Sequence, residues 1–126
     1  MLIGDKLRSA LRSFAAVEDE IIAFGRNADA TQGLYFIQKR KEMVEQFGAL
    51  RDALEADPYL IENPAVKTEG LRLFSAFRTK NATSRADWPV IRIRENLTEF
   101  REVAKSVGPF SRAFWKWVEE ELDHRR

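Results

Sequence analysis

Apolar residues recur alternately three and four positions apart in four stretches of the chain. Ile3, Leu7, Ala10, Phe14, Val17, Ile21 and Phe24 form the first ladder. Phe36, Met43, Phe47, Leu50 and Leu54 form the second, interrupted only by Arg40. Val66, Leu73 and Phe77 form a shorter third, and Val90, Ile93, Leu97, Phe100, Ala104 and Val107 a fourth. This alternation places each set on one face of an α-helix. Each stripe must be buried against another, so the pattern predicts an all-α protein. The expected architecture is an antiparallel four-helix bundle with an additional C-terminal amphipathic helix.

The boundaries follow from local chemistry. The first helix is expected over about 3–24, with Asp5 a candidate cap and Gly25 placed to end it in the left-handed conformation. Leu11 and Ile22 widen its stripe, which suits more than one neighbour. Arg26 to Asp29 read as a turn, and Asp29 with Gln32 as a capping pair for a second helix over about 30–56. Ile37 and Val44 flank its main stripe. Gly33 and Gly48 inside it each cost roughly 1 kcal/mol against Ala. They serve a close helix approach or are simply tolerated. Asp57-Pro58 stops the helix, because a residue before proline avoids helical dihedrals.

Tyr59, Leu60 and Ile61 form an apolar connector over one end of the bundle. Asn63 as cap and Pro64 in the first turn start a third helix over about 64–80, with Leu71 and Phe74 adding to its buried face. Residues 81–87 read as a polar turn. Asp87 or Trp88 then caps a fourth helix over about 89–107. Val90 to Arg94 alternates like a strand, but a lone strand has nothing to pair with, so helix is expected. Gly108-Pro109 ends that helix. A fifth segment over about 110–124 either continues it after a kink or folds back separately.

Composition narrows the class. The 126 residues suit one domain spanning 1–126. A hydrophobic share of 44% with nine Phe is too apolar for disorder, despite 33% charged residues. The net charge of +1 does not steer the chain to nucleic acid or an anionic membrane. No apolar run approaches the roughly 20 residues of a membrane span. The N-terminus lacks the basic and apolar regions of a signal peptide. A cytoplasmic protein is expected. The absence of Cys excludes disulfides and thiolate chemistry.

No cluster states a reaction, and neither catalytic residues nor a cofactor are assigned. Di-iron and haem sites in bundles need inward Glu and His, and the one His is His124, near the end of the chain. A carboxylate-only metal site from Glu18, Glu20, Glu42 and Glu45 is read instead as four solvated charges, because buried uncompensated carboxylates are costly. The lone His, so near the end of the chain, argues against a catalytic triad, and neither common Gly-rich phosphate loop is present. Arg85, Arg92, Arg94, Arg101 and Lys105 surround the fourth stripe. Glu95, Glu99 and Glu102 interleave with them, which reads as a solvated, ion-paired face and no nucleic-acid surface.

The C-terminal segment carries the sharper signal. Phe110, Phe114, Trp115 and Trp117 set four aromatic rings within eight residues. Phe110, Phe114, Trp117, Val118 and Leu122 share one face, and Trp115 lies off it. One helix cannot bury all four rings against one surface, and exposed Trp marks binding hot spots. Phe110, Phe114, Trp115, Trp117, Val118 and Leu122 are therefore the candidate partner-binding residues. The alternative is that the segment completes the core. Three consecutive Glu, 119 to 121, argue against a membrane-surface role.

Val17-Glu18-Asp19-Glu20, the Asn27-Ala28-Asp29 turn, Ile37-Gln38-Lys39-Arg40-Lys41, Leu50-Arg51 and Asn81 together resemble the FlgN-like flagellar type III export chaperones. The resemblance covers roughly Leu7 to Val107. The second Asn and the Asn-Gly pair of that family are missing near Asn81, and the aromatic tail is unusual for it. The resemblance implies a small, all-helical, non-catalytic cytoplasmic protein that holds the helical C-termini of hook-associated proteins ready for export. The family's substrate-capturing C-terminal helix would correspond here to Phe110, Phe114, Trp117, Val118 and Leu122. The expected function is thus a non-enzymatic protein that binds a helical segment of a partner, its movable last helix being replaced by the guest. A homodimeric structural or regulatory module is the alternative, and a small carboxylate-based enzyme a third reading.

Overall fold

The structure, a computed structural model, describes residues 2–27 and 33–126, with the backbone alone at 25–27. Among these residues it is helical without strands. The helices are α1 (Asp5–Asn27), α2 (Gly33–Ala56), α3 (Pro58–Glu62), α4 (Pro64–Asp87), α5 (Val90–Glu95), α6 (Leu97–Ala104) and α7 (Gly108–Leu122). A 3-10 turn, Lys105–Val107, joins the last two. No helix among the described residues is long and apolar enough to cross a membrane.

Prolines set most of the breaks. Asp57, Asn63 and Trp88 each precede a proline and leave the helical region, with ψ of 124°, 71° and 71°. Asp57 does more than interrupt. Its Oδ2 accepts from the Leu60 amide at 3.2 Å and caps α3, while its Oδ1 accepts from the Gly4 amide at 2.9 Å. One buried carboxylate thus ties the start of α1 to the corner after α2. The apolar connector expected at Tyr59 to Ile61 is the short helix α3, with Leu60 fully buried.

Several expected boundaries move. α1 runs through Gly25 to Asn27, so Gly25 does not terminate it. The capping pair Asp29 and Gln32, and the start of the second helix near residue 30, lie outside the described residues. Asn63 stands at the cap position of α4, but its side chain makes no capping bond there and donates to the Tyr59 carbonyl instead. The polar turn expected over 81–87 is the end of α4, whose helix continues to Asp87. The helix expected over 89–107 is divided at Asn96, whose ψ of 55° bends the chain. Its backbone bonds persist across the bend, from the Asn96 amide to Arg92 and from the Phe100 amide to Asn96.

The main core is enclosed by α1, α2, α4 and α7, with Leu60 closing one end. Aromatic pairs fix the directions. Phe14 of α1 meets Phe47 of α2 edge-on at 4.9 Å, and nearer the other end Phe24 stacks on Phe36 at 4.5 Å. The two helices therefore run in opposite senses. Phe77 and Phe74 of α4 meet Phe114 of α7, and farther along Trp117 covers Gly70. The stretch expected to supply the fourth bundle helix reaches this core only through Val107. Ile93 and Phe100 instead join Phe24, Phe36 and Trp88 in a second, smaller cluster.

Candidate functional site

The partner-binding residues expected on the last helix are mostly interior. Phe114, Trp115, Trp117, Val118 and Leu122 are buried in the main core, and Phe110 alone is appreciably exposed. Off-stripe Trp115 is buried because α1 approaches α7 from that side. It faces Phe14 at 6.1 Å, and its Nε1 donates to Glu18 Oε1 at 2.9 Å. With α7 seated, these five side chains are not a surface. The expectation of an arm detachable from a complete body is corrected to one in which α7 supplies part of the core.

Glu18 likewise departs from its expected place. It is buried rather than solvated, and its carboxylate is fully engaged. Oε2 accepts from Ser111 Oγ at 2.6 Å, and Oε1 accepts from Trp115 Nε1 and from Arg126 Nη2 at 2.5 Å. Arg126 also donates to Asp19 and lies 5.1 Å over the Trp115 ring. Burial disfavours charge on Arg126, but its hydrogen bonds to Asp19 and Glu18 outweigh that and raise its pKa. Glu20 and Glu42 converge on Lys39, whose pKa is raised first by the Glu20 bond and then by the Glu42 bond. Among the described residues no three His, Asp or Glu gather as metal ligands.

A cleft of about 970 Å³ lies between the main core and the second cluster. α1, α2, α4, α6 and α7 all contribute to it. Ile21, Ile22, Phe36, Met43, Phe77 and Phe100 provide its apolar lining. Arg40, Arg85, Arg101, Lys105, Arg112 and Arg126 bring six cations to it, against the carboxylates of Glu18 and Glu102. For a chain of net charge +1 this is a strong local concentration. Ile22 is 44% exposed, so part of the apolar lining is open to solvent.

Arg40 is the interruption in the α2 stripe, and the fold gives it an unusual setting. Its guanidinium lies 4.5 Å over the Phe36 ring and 5.9 Å from Phe100, and Nη1 donates to the Trp88 carbonyl at 2.6 Å. Burial, with repulsion from Arg85, pushes its pKa down to about 10. The basic strip expected around residues 85–105 is divided by this geometry. Arg85, Arg101 and Lys105 line the cleft. Arg92 stands 4.0 Å over Trp88 and donates to the Asp87 carbonyl.

The cleft was legible only as two irregularities. Glu18 extends the Leu7, Leu11, Phe14 ladder, and Arg40 breaks the second one. Both of these charged side chains line the same cleft. No protein-family model matches this chain, and neither a curated protein nor a solved structure matches it.

Proposed function

We propose that this protein is a non-enzymatic binding module that receives an amphipathic helical segment of a partner protein. The observation that carries the reading is the cleft, which is lined by apolar and cationic side chains and shaped by five helices. A helix laid into a groove buries one apolar stripe and keeps its polar face in water. The guest sits beside α7, so α7 need not leave. An antiparallel bundle around α1, α2, α4 and α7 gives such a groove a rigid frame. The FlgN-like resemblance makes a cytoplasmic flagellar export chaperone the specific form of this proposal, its guests the helical C-termini of hook-associated proteins.

The test uses synthetic C-terminal peptides of the hook-associated proteins from the same genome. Trp115 lines the cleft and serves as a fluorescence reporter. Binding on the order of micromolar is expected, because the contact is small for a protein interface. Ile22→Glu should abolish it without unfolding the protein. Absence of binding by these peptides would remove the export-chaperone form.

A homodimeric module is the second reading. Leu34, Ile37 and Val44 are exposed at 84%, 49% and 40% on α2, spaced along one side of that helix. A second copy placing the same row against them would make a two-fold contact. Sedimentation at micromolar concentration decides it. A dimer that Ile37→Glu returns to monomer supports this reading, and a monomer throughout removes it.

A further inference from the structure

We infer that the cleft holds a seat for one carboxylate of its guest, formed by Arg40 and Arg85, so that the recognised segment is an apolar helical stripe with an acidic side chain at its edge. This inference rests on the reading of the cleft as a helix-binding groove. Arg40 and Arg85 both line the cleft, and neither has a carboxylate within ion-pairing distance among the described residues. A guanidinium carries five N–H donors, and the Trp88 carbonyl takes one from Arg40. Phe36 and Phe100 hold that guanidinium against an apolar surface. There it has lost water, and no anion among the described residues replaces it.

Two like charges sharing a half-enclosed space repel each other. A carboxylate placed between them relieves the repulsion and accepts charge-assisted hydrogen bonds from both. Two other cations of the wall differ. Lys105 is paired with Glu102, and Arg126 with Glu18 and Asp19. Their carboxylates already occupy them, whereas Arg40 and Arg85 repel each other and have no carboxylate partner among the described residues. The adjoining Ile21, Met43 and Phe77 set the chemistry on either side of the seat, which is apolar.

The probes are two amidated and acetylated helical peptides of about 18 residues, with leucines at three- and four-residue spacing. They differ only in a Glu or a Gln beside the leucine stripe. With the intact protein at low salt, the Glu peptide should bind about tenfold more tightly, and the advantage should shrink as salt screens the pair. Arg85→Gln should bring the two peptides to equal affinity while leaving the Gln peptide unchanged. Arg92→Gln, outside the cleft, should leave the tenfold ratio intact. Equal affinities on the unmodified protein would overturn the carboxylate seat and leave the groove reading standing. Failure of both peptides would overturn the groove reading, and the seat with it. A single-stranded DNA oligonucleotide that binds more tightly than the Glu peptide and is lost in Arg85→Gln would overturn the assignment to a protein guest.

Discussion

The indole of Trp117 occupies the space where a side chain on Gly70 would begin. A Cβ built there would lie 2.5 Å from Cε2, and closer still to Cζ2 and Cη2. Gly70 is therefore a point of close approach between α4 and α7, and its lack of a side chain leaves room for the Trp117 ring. Trp117 Nε1 is buried there without a hydrogen-bond partner among the described residues. Among the described residues the ring is held by packing alone.

Gly70→Ala sets two effects against each other. Alanine favours the helix by about 1 kcal/mol. Displacing an enclosed indole costs typically 1–3 kcal/mol or more, because a fused ring cannot bend away as a flexible chain can. The clash should win. Urea unfolding followed by tryptophan fluorescence is expected to show a net loss of roughly 1–2 kcal/mol. Gly48 is the contrast, since a Cβ there meets nothing within 4 Å. Gly48→Ala should stabilise the protein.

Truncation after Val107 should unfold the chain. It removes Phe114, Trp115, Trp117, Val118 and Leu122 from the core. Each buried side chain of this size is worth roughly 2 kcal/mol, so the loss is on the order of 10 kcal/mol. That matches the whole stability of a typical domain. Far-ultraviolet circular dichroism would show collapse of helical signal. A truncated protein that keeps its helices would instead restore the detachable arm and place the guest where α7 lies.

Glu18→Ala should be among the most damaging single changes. It leaves the Trp115 indole N–H and the Ser111 hydroxyl without their acceptor and frees Arg126 from half of its pairing. A loss of about 3 kcal/mol is expected from the stranded buried donors. Thermal melting of this variant beside Glu45→Ala, an exposed position on α2, separates the two kinds of carboxylate.

His124 should make stability fall in mild acid. Burial lowers its pKa below the ordinary 6.5, and Arg12 and Arg8 add repulsion. The unfolded chain thus takes up the proton before the folded one does. The sign follows directly: the stabilising contribution is present above pH 6.5 and is lost as pH falls below it toward the folded pKa. His124→Gln should flatten that slope between pH 7 and 5, seen as a smaller shift in the urea midpoint.

The sequence alone determined the helical class and most of the burial on α1 and α2. A stripe at helical spacing can be satisfied only by a partner surface, and Leu7, Phe14, Phe47 and Leu50 obey it. It also determined the breaks at Pro58, Pro64 and Pro89, because proline restricts its predecessor wherever it stands. Tertiary structure decided which stripes share a core. The 90–107 ladder and the 110–122 ladder are both amphipathic, and nothing local says that α7 joins α1, α2 and α4 while Ile93 and Phe100 form a cluster elsewhere. It also decided the fates of Glu18 and Arg40, two charges written onto apolar stripes. A charge becomes part of a site through what faces it across the fold, and here those neighbours lie 97 residues away for Glu18 and 48 for Arg40.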